Sequence, residues 1–482
     1  MPPAPGYSQG GKTHTVPATL HADNRGRLLE RLRANKDVPA GSVVLLEGGK
    51  DINQYCTDIE LVFRQESYFM WTFGVELAGF YGAVAVDTGK AVLFAPKIPE
   101  SYIVYMGELP SNDNIKERYA VDEVHYVEEI TTVLEAMNPA TLLTLKGVNS
   151  DSGLTSHEAE FDGIKKFKVN NSILHPEISE CRVFKSPGEL EVLRYVCALS
   201  CEAHKDVMRK ARPGLMEYQL ESTFQHYVYY HGGCRRVAYT CICASGHNSS
   251  VLHYGHAGAP NNSQIQDGDI CTFDMGAEYY GYASDITVAF PANGKFNNDQ
   301  RIIYETVLKA NRAVFKAMKP GVLWTDMHLL AERTILVELK SHGLVKGDVD
   351  EMMKVYLGAV FMPHGLGHFM GCDTHDVGGY PEGVERVQRP GIRNLRTSRV
   401  LEAGMVITVE PGCYFIKATL EPALKDPKMM PFLCPDVLER FKNFGGVRIE
   451  DDVLVTKDGA ENLSPYVPRE IAEIEALMAE GR

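Results

Sequence analysis

A ten-residue segment of this chain occurs twice. Asp267-Gly268-Asp269-Ile270-Cys271-Thr272-Phe273-Asp274-Met275-Gly276 returns as Ala403-Gly404-Met405-Val406-Ile407-Thr408-Val409-Glu410-Pro411-Gly412, which aligns Asp274 with Glu410. A second carboxylate follows each copy, Asp285 in Tyr282-Ala283-Ser284-Asp285-Ile286-Thr287 and Glu450 in Gly446-Val447-Arg448-Ile449-Glu450-Asp451. Paired histidines precede each copy, His253 with His256 and His364 with His368. Upstream, Val207-Met208 and Pro213-Gly214-Leu215 match Val314-Phe315 and Pro320-Gly321-Val322 at the same spacing. Each Pro-Gly is followed by an amphipathic helical stretch, to Gly232-Gly233 and to Gly343. Two repeats in one order indicate duplication of a unit: helix, Pro-Gly turn, helix, then strands bearing carboxylates. Such halves are expected to meet about a pseudo-two-fold axis.

Gathered carboxylates repel one another unless cations lie between them. Oxygen-rich donors with a single imidazole suit hard or borderline divalent metals. Singly, an Asp before Met-Gly or a Glu before Pro-Gly is more often a turn residue; the symmetric recurrence reverses that expectation. Asp274 and Asp285 are expected on neighbouring antiparallel strands joined by a tight turn at Glu278-Tyr279-Tyr280-Gly281. Alternation sends Asp451 to the opposite face from Glu450, so Asp451 and Asp452 are read as solvated or structural. His364 and His368 have the spacing of a helical zinc site, but Gly365 stands where such a site carries its Glu, and two intervening glycines disfavour a helix. A glycine-rich loop instead places one histidine on metal and another towards substrate. The whole set exceeds the needs of one ion and suits two, with an acidified water and hydrolysis of an acyl or phosphoryl group.

With 482 residues the chain is expected to form two domains. Residues 21 to about 180 mix β-rich runs, such as 42–46 and 91–95, with helical stretches such as 23–35, and carry no acid/base or metal-spaced cluster. An assembly or capping role is assigned to them. Ser186-Pro187-Gly188-Glu189 reads as a capped helix start, with Leu193, Val196, Cys197 and Ser200 on a buried face. The boundary is therefore placed at 183/184. A net charge of −14 argues against a nucleic-acid binder. No stretch reads as a secretory signal or a membrane span. Eleven cysteines without a pairing framework fit reduced thiols in the cytoplasm, where the sequons at Asn170, Asn248 and Asn261 stay unused.

In His253-Tyr254-Gly255-His256-Ala257-Gly258-Ala259-Pro260, Phe273 to Gly276, Pro363 to His368, His375 to Tyr380, Leu395 to Arg399 and Gly445 to Glu450, the chain resembles the pita-bread metallopeptidases, most of all the prolidase (Xaa-Pro dipeptidase) branch of eukaryotes. The likeness also reaches Tyr55 to Asp58 and Phe63 to Ser67. It implies an α+β architecture, with an N-terminal creatinase-like α/β domain (1–183) followed by a pita-bread, methionine-aminopeptidase-like catalytic domain (184–482). The implied ligands are Asp274, Asp285, His368, Glu410 and Glu450, with Asp285 and Glu450 bridging two Mn²⁺ ions per subunit, for which Zn²⁺ or Co²⁺ can compete. His253, His375 and Arg396 fall where the family contacts the dipeptide, and His364 is assigned to substrate as well.

The implied reaction is hydrolysis of Xaa-Pro dipeptides by a hydroxide bridging the metals, as in the breakdown of collagen-derived and other peptides. Glu410 is the expected proton shuttle, and His253 and His375 the groups that steady the developing oxyanion. Arg396 offers a planar fork to a free proline carboxylate. A cytoplasmic homodimer without nucleic-acid or membrane partners completes the expectation. The alternatives are an aminopeptidase P acting on longer Xaa-Pro peptides and a non-catalytic binding protein of the same fold; the latter commonly loses ligands that are all present here.

Overall fold

A computed structural model describes residues 6–108 and 110–481. The chain divides into two compact units, Met1–Leu190 and Glu191–Arg482.

The first unit is built on a six-stranded mixed sheet. Its strands are β1 (Ser42–Glu47), β2 (Tyr81–Ala85), β3 (Ala91–Ala95), β4 (Glu123–Tyr126), β5 (Thr141–Thr144) and β6 (Val169–Asn170), in the spatial order β4-β3-β2-β1-β5-β6. All six residues of β1 are buried, as its unbroken Val and Leu run requires of a central strand. It pairs antiparallel with β2 and parallel with β5. Helix α1 (Thr19–Ala34) starts four residues before the stretch read from sequence. Its buried face is polar in part: Asn24 Nδ2 donates to Trp71 O at 3.0 Å, and Arg25 Nη1 to Thr72 O at 3.1 Å. Helix α2 (Ile130–Met137) places Ile130 and Leu134 in the core with Val43, Leu45, Phe94 and Leu142.

The second unit shows why the sequence repeats. Helix α3 (Pro187–Lys210) opens with a capping box in which Ser186 N donates to Glu189 Oε2 at 2.8 Å and Glu189 N to Ser186 Oγ at 3.3 Å. After the first Pro-Gly turn comes α4 (Glu217–Gly232). Helix α5 (Asn298–Ala317), the second Pro-Gly turn and α6 (Trp324–Ser341) form the matching pair. Each turn is locked onto the segment just ahead of a carboxylate strand. Gly214 N donates to Ile265 O and Ile265 N to Leu215 O, both at 2.8 Å; Gly321 N donates to Leu401 O at 2.8 Å and Leu401 N to Val322 O at 2.7 Å. The helix starts repeat the correspondence, with Glu217 N on Ser263 O and Trp324 N on Arg399 O, both at 3.0 Å.

The strands follow the same duplication. After β7 (Ile242–Ser245), the first half contains β8 (Ile270–Asp274), β9 (Ala277–Tyr279), β10 (Tyr282–Ala283) and β11 (Thr287–Pro291). The second contains β12 (Val406–Val409), β13 (Gly412–Tyr414), β14 (Gly446–Arg448) and β15 (Asp451–Val455). In the first half β8 pairs with β11 and β9 with β10; in the second β12 pairs with β15 and β13 with β14. Both ribbons are therefore long antiparallel pairs that break once. The tight turn falls at Tyr280 (φ 44°) and Gly281 (φ 79°), the positive-φ pair of a type I′ hairpin. The halves meet where Thr272 Oγ1 donates to Gly446 O at 2.9 Å and Glu450 N to Thr287 O at 3.2 Å.

Candidate metal centre

The breaks in the two ribbons create the site. Asp274 ends β8 and Glu410 immediately follows β12, while Asp285 and Glu450 occupy the gaps before β11 and β15. Donor atoms of Asp285, His368 and Glu450 lie within 4.8 Å of one another, and all three residues are buried. His368 Nε2 is 3.3 Å from Asp285 Oδ2 and 3.6 Å from Glu410 Oε1. Asp274 is within electrostatic reach of this group, since the charge of Asp285 acts on it and its own charge acts on Glu410 and Glu450. Thus the five residues expected as ligands come together, with Glu410 the most open to solvent.

Neighbouring groups fix the orientation of each. His368 Nδ1 lies 3.0 Å from Phe369 O, which favours a proton on that nitrogen and turns Nε2 to the carboxylates as a ligand. Tyr239 OH donates to Asp274 Oδ1 at 2.5 Å and Arg448 Nη2 to Oδ2 at 2.6 Å. Thr287 Oγ1 donates to Glu450 Oε2 at 2.6 Å, and Arg448 Nε to Thr287 Oγ1 at 3.1 Å. Tyr239, Thr287 and Arg448 were missed in the sequence reading. A signal existed for two of them: Thr287 follows Asp285, and Arg448 precedes Glu450, by two residues, the spacing that returns a strand residue to the same face. Asp451 and Asp452 prove structural and not solvated. Asp452 Oδ2 accepts from Asp285 N at 3.1 Å, and Asp451 Oδ2 from Asn311 Nδ2 at 3.1 Å.

The remaining candidates lie around this core. His375 stacks edge-on against His368, with ring centroids 4.4 Å apart. His253 is exposed on a loop, and Arg396 is half-buried. Desolvation by the surrounding protein, with Arg448 and Arg396, lowers the His253 imidazole; desolvation, His368, Arg396 and His253 lower that of His375, whose surface is also open to solvent. The three are thus within electrostatic reach of one another. His364 is more tightly engaged, with Nδ1 2.7 Å from Gly365 O and Nε2 3.0 Å from Tyr414 OH. His256 faces outward, and its Nδ1 accepts from Gly258 N at 3.1 Å.

The donor set fits divalent cations. Burial and the neighbouring carboxylates push Asp274 up to about 6 and Glu410 up to about 7, while Glu450 is driven well above the ordinary carboxylate range. For Asp285, burial is outweighed by the His368 hydrogen bond, which holds it low. His368 reaches about 9 against its burial, through the Asp285 hydrogen bond and the charges of Glu410 and Asp285. Cations among these groups would relieve the repulsion and displace the protons.

A pH dependence follows for metal-stripped protein. Asp274, Glu410 and Glu450 bind protons more tightly folded than unfolded, so their stabilisation is lost as pH rises from the ordinary carboxylate range through their raised values. His368, raised to about 9, continues the loss from the ordinary histidine range upward, whereas the depressed Asp285 acts oppositely, at more acid pH. The rise in Tm on adding excess Mn²⁺ as probe is therefore expected to be larger at pH 8 than at pH 6, by differential scanning calorimetry. A pH-independent rise would mean that the carboxylates do not share a cation site.

The comparisons with known proteins agree with this chemistry. Residues 191–457 match metallopeptidase family M24, and residues 21–143 match the N-terminal domain of aminopeptidase P. The chain is 60% identical to Xaa-Pro dipeptidase of Rattus norvegicus over 475 residues, 98% of this chain and 96% of the relative. It is 59% identical to Xaa-Pro dipeptidase of Homo sapiens over the same shares. Among solved structures, Pseudomonas aeruginosa aminopeptidase PepP superposes with a TM-score of 0.78 at 30% identity, covering 97% of this chain and 99% of that one.

Proposed function

We propose that this chain, which belongs to metallopeptidase family M24, is a metal-dependent hydrolase of dipeptides ending in proline. The convergence of Asp285, His368 and Glu450 carries the metal chemistry. Identity of 60% to an Xaa-Pro dipeptidase along nearly the whole chain supports the substrate class. The N-terminal α/β domain (1–183) then serves assembly, and the pita-bread domain (184–482) the chemistry.

In this reading Asp274, Asp285, His368, Glu410 and Glu450 would hold two divalent cations, Mn²⁺ by preference, with Asp285 and Glu450 the residues common to both. Once bound, such ions acidify water and polarise a peptide carbonyl. The chain supplies the rest. Glu410, at the open edge of the cluster, accepts a proton as the nucleophile forms and passes it to the leaving proline nitrogen. His253 and His375 are held in the neutral range, so each has one N–H to donate to the substrate carbonyl as negative charge develops there. Arg396 receives the free carboxylate of proline, and His364 lines the same side.

A homodimer is part of the proposal. The first unit exposes Ile52, Tyr55, Ile59, Leu61 and Val62, and its helix Glu100–Met106 buries no side chain while displaying Tyr102, Val104, Tyr105 and Met106. Exposed apolar stretches of this extent suit contact with a second copy. Cytoplasmic residence is supported by eleven free thiols. No helix among the described residues is long and apolar enough to cross a membrane.

Chelator-treated protein is expected to be inactive on Gly-Pro and to recover with Mn²⁺. Recovered enzyme should turn over Gly-Pro far faster than Gly-Pro-Ala. Full turnover by verifiably metal-free protein would refute the metal reading, and equal use of both peptides would favour an aminopeptidase.

A further inference from the structure

The proposed chemistry makes no use of a buried ionic cluster on α6. His328 and Glu332, one turn apart, are both fully buried, with Nε2 of the histidine 3.1 Å from Oε1 of the glutamate. The other carboxylate oxygen, Oε2, faces Arg389 Nη2 at 3.2 Å. Arg389 belongs to the basic run Arg386 to Arg399, and its guanidinium lies 4.8 Å from the centroid of the Tyr356 ring. A carboxylate in such a place is costly to bury, and a well-packed apolar side chain would commonly serve stability as well. The cluster therefore calls for an explanation other than stability.

The path of the backbone supplies one. Two residues beyond Arg389, Gly391 adopts φ +80° and sits against the cluster so closely that a Cβ there would fall 2.6 Å from Glu332 Oε1 and 3.0 Å from His328 Nε2. From this seat the chain enters a single turn of 3₁₀ helix, Ile392–Asn394. Arg393 N donates to Arg389 O at 2.8 Å, Asn394 N to Gly391 O at 3.1 Å and Leu395 N to Ile392 O at 2.9 Å. Asn394 Nδ2 donates to Pro363 O at 2.6 Å, tying the turn to the residue before His364. The next side chain but one is that of Arg396.

We propose that Glu332, with His328 and Arg389, is a positioning device for substrate selection: it anchors the 389–395 turn to α6 and so sets the guanidinium of Arg396 for a proline carboxylate. This rests on the reading of Arg396 given above. Glu332 touches no substrate and acts through the backbone seated on it. A displacement of about 1 Å in such a clamp can cost up to about a hundredfold.

The test uses metal-loaded Glu332→Gln, which keeps the shape but removes the charge facing Arg389. Arg389→Met, which opens the same pair from its partly exposed side, guards against a Glu332 variant that does not fold. Amide exchange at Arg393, Asn394 and Leu395 is expected to quicken by about tenfold as the turn loosens. The KM for Gly-Pro should rise about three- to tenfold, while Gly-Pro-amide, which has no carboxylate, stays within about twofold. In an Arg396→Ala background the effect of Glu332→Gln on Gly-Pro should vanish. Unchanged exchange in whichever variants fold, or equal losses on both substrates, overturns the anchor. Should Arg396→Ala alone affect the two substrates equally, the carboxylate reading has failed, and the exchange measurement then decides the anchor separately.

Discussion

Glu450→Gln is expected to lower kcat/KM on Gly-Pro by about a thousandfold while making the metal-stripped protein more stable. The first effect follows from charge. Glu450 shares a cluster with Asp285 and His368 in which donor atoms lie within 4.8 Å, and the proposal makes it common to both cations. An amide preserves the shape and can still accept from Thr287 Oγ1, which reaches Glu450 Oε2 at 2.6 Å. It cannot supply the anionic charge that holds cations together, and a catalytic cation is worth several kcal/mol in the transition state, or about a thousandfold in rate. The second effect follows from repulsion. Burial, then the charges of Asp285, Glu410 and Asp274, drive the Glu450 carboxyl well above its ordinary range, so at pH 8 the stripped wild-type site is electrostatically strained. An amide neither carries that charge nor has to take up a proton on folding, so the strain is relieved. Metal analysis, turnover and melting of stripped protein at pH 8 check the prediction together. Near-normal rates with unchanged metal content would refute the shared-ligand role. A stripped variant that melts below stripped wild type would mean that Glu450 is held by its hydrogen bonds and that function does not cost stability here.

Much of this centre was legible because duplication writes each feature twice. The Pro-Gly turns, the paired carboxylates and the two histidine elements could be aligned without knowing the fold, and the hydrogen bonds of Gly214 with Ile265 and Gly321 with Leu401 show what the alignment meant. Less legible was whatever depends on contacts between distant segments. Asp452 lies beneath Asp285, and only the pairing of β12 with β15 and the seating of the two ribbons place it there. Nothing in the local sequence singles out His328 and Glu332, yet both are wholly buried, with Gly391 of a loop some sixty residues later seated against them. In the first unit the strands at 42–46 and 91–95 followed from β-branched and apolar runs, whereas the mixed order of the sheet is set by tertiary pairing that local propensity does not encode. The early start of α1 has a similar cause, since its first turn is held by tertiary contacts, with Leu20 buried and His21 Nδ1 3.1 Å from Trp71 O, that local propensity does not anticipate.

Arg396→Ala is expected to separate recognition of a dipeptide from hydrolysis as such. Arg396 follows the turn at 389–395, and its charge acts on the imidazoles of His253 and His375, the groups proposed to hold the scissile bond. A guanidinium meets a carboxylate with two parallel N–H groups, and a charge-assisted bond contributes about 1.5–3 kcal/mol. Its loss corresponds to about a ten- to 150-fold fall in kcat/KM on Gly-Pro. Arg396→Lys keeps the charge without the fork and should fall between Ala and wild type. On Gly-Pro-amide all three proteins should perform alike, because that substrate lacks the carboxylate the fork receives. The same contact would explain selection against longer peptides: in Gly-Pro-Ala the proline carboxylate has become an amide, which does not offer the half-buried guanidinium an anionic partner. Arg396→Ala should therefore narrow the preference for Gly-Pro over Gly-Pro-Ala chiefly by weakening the dipeptide. Equal losses on Gly-Pro and Gly-Pro-amide would make Arg396 structural, and the restriction to dipeptides would then have to come from the walls around His253 and His375.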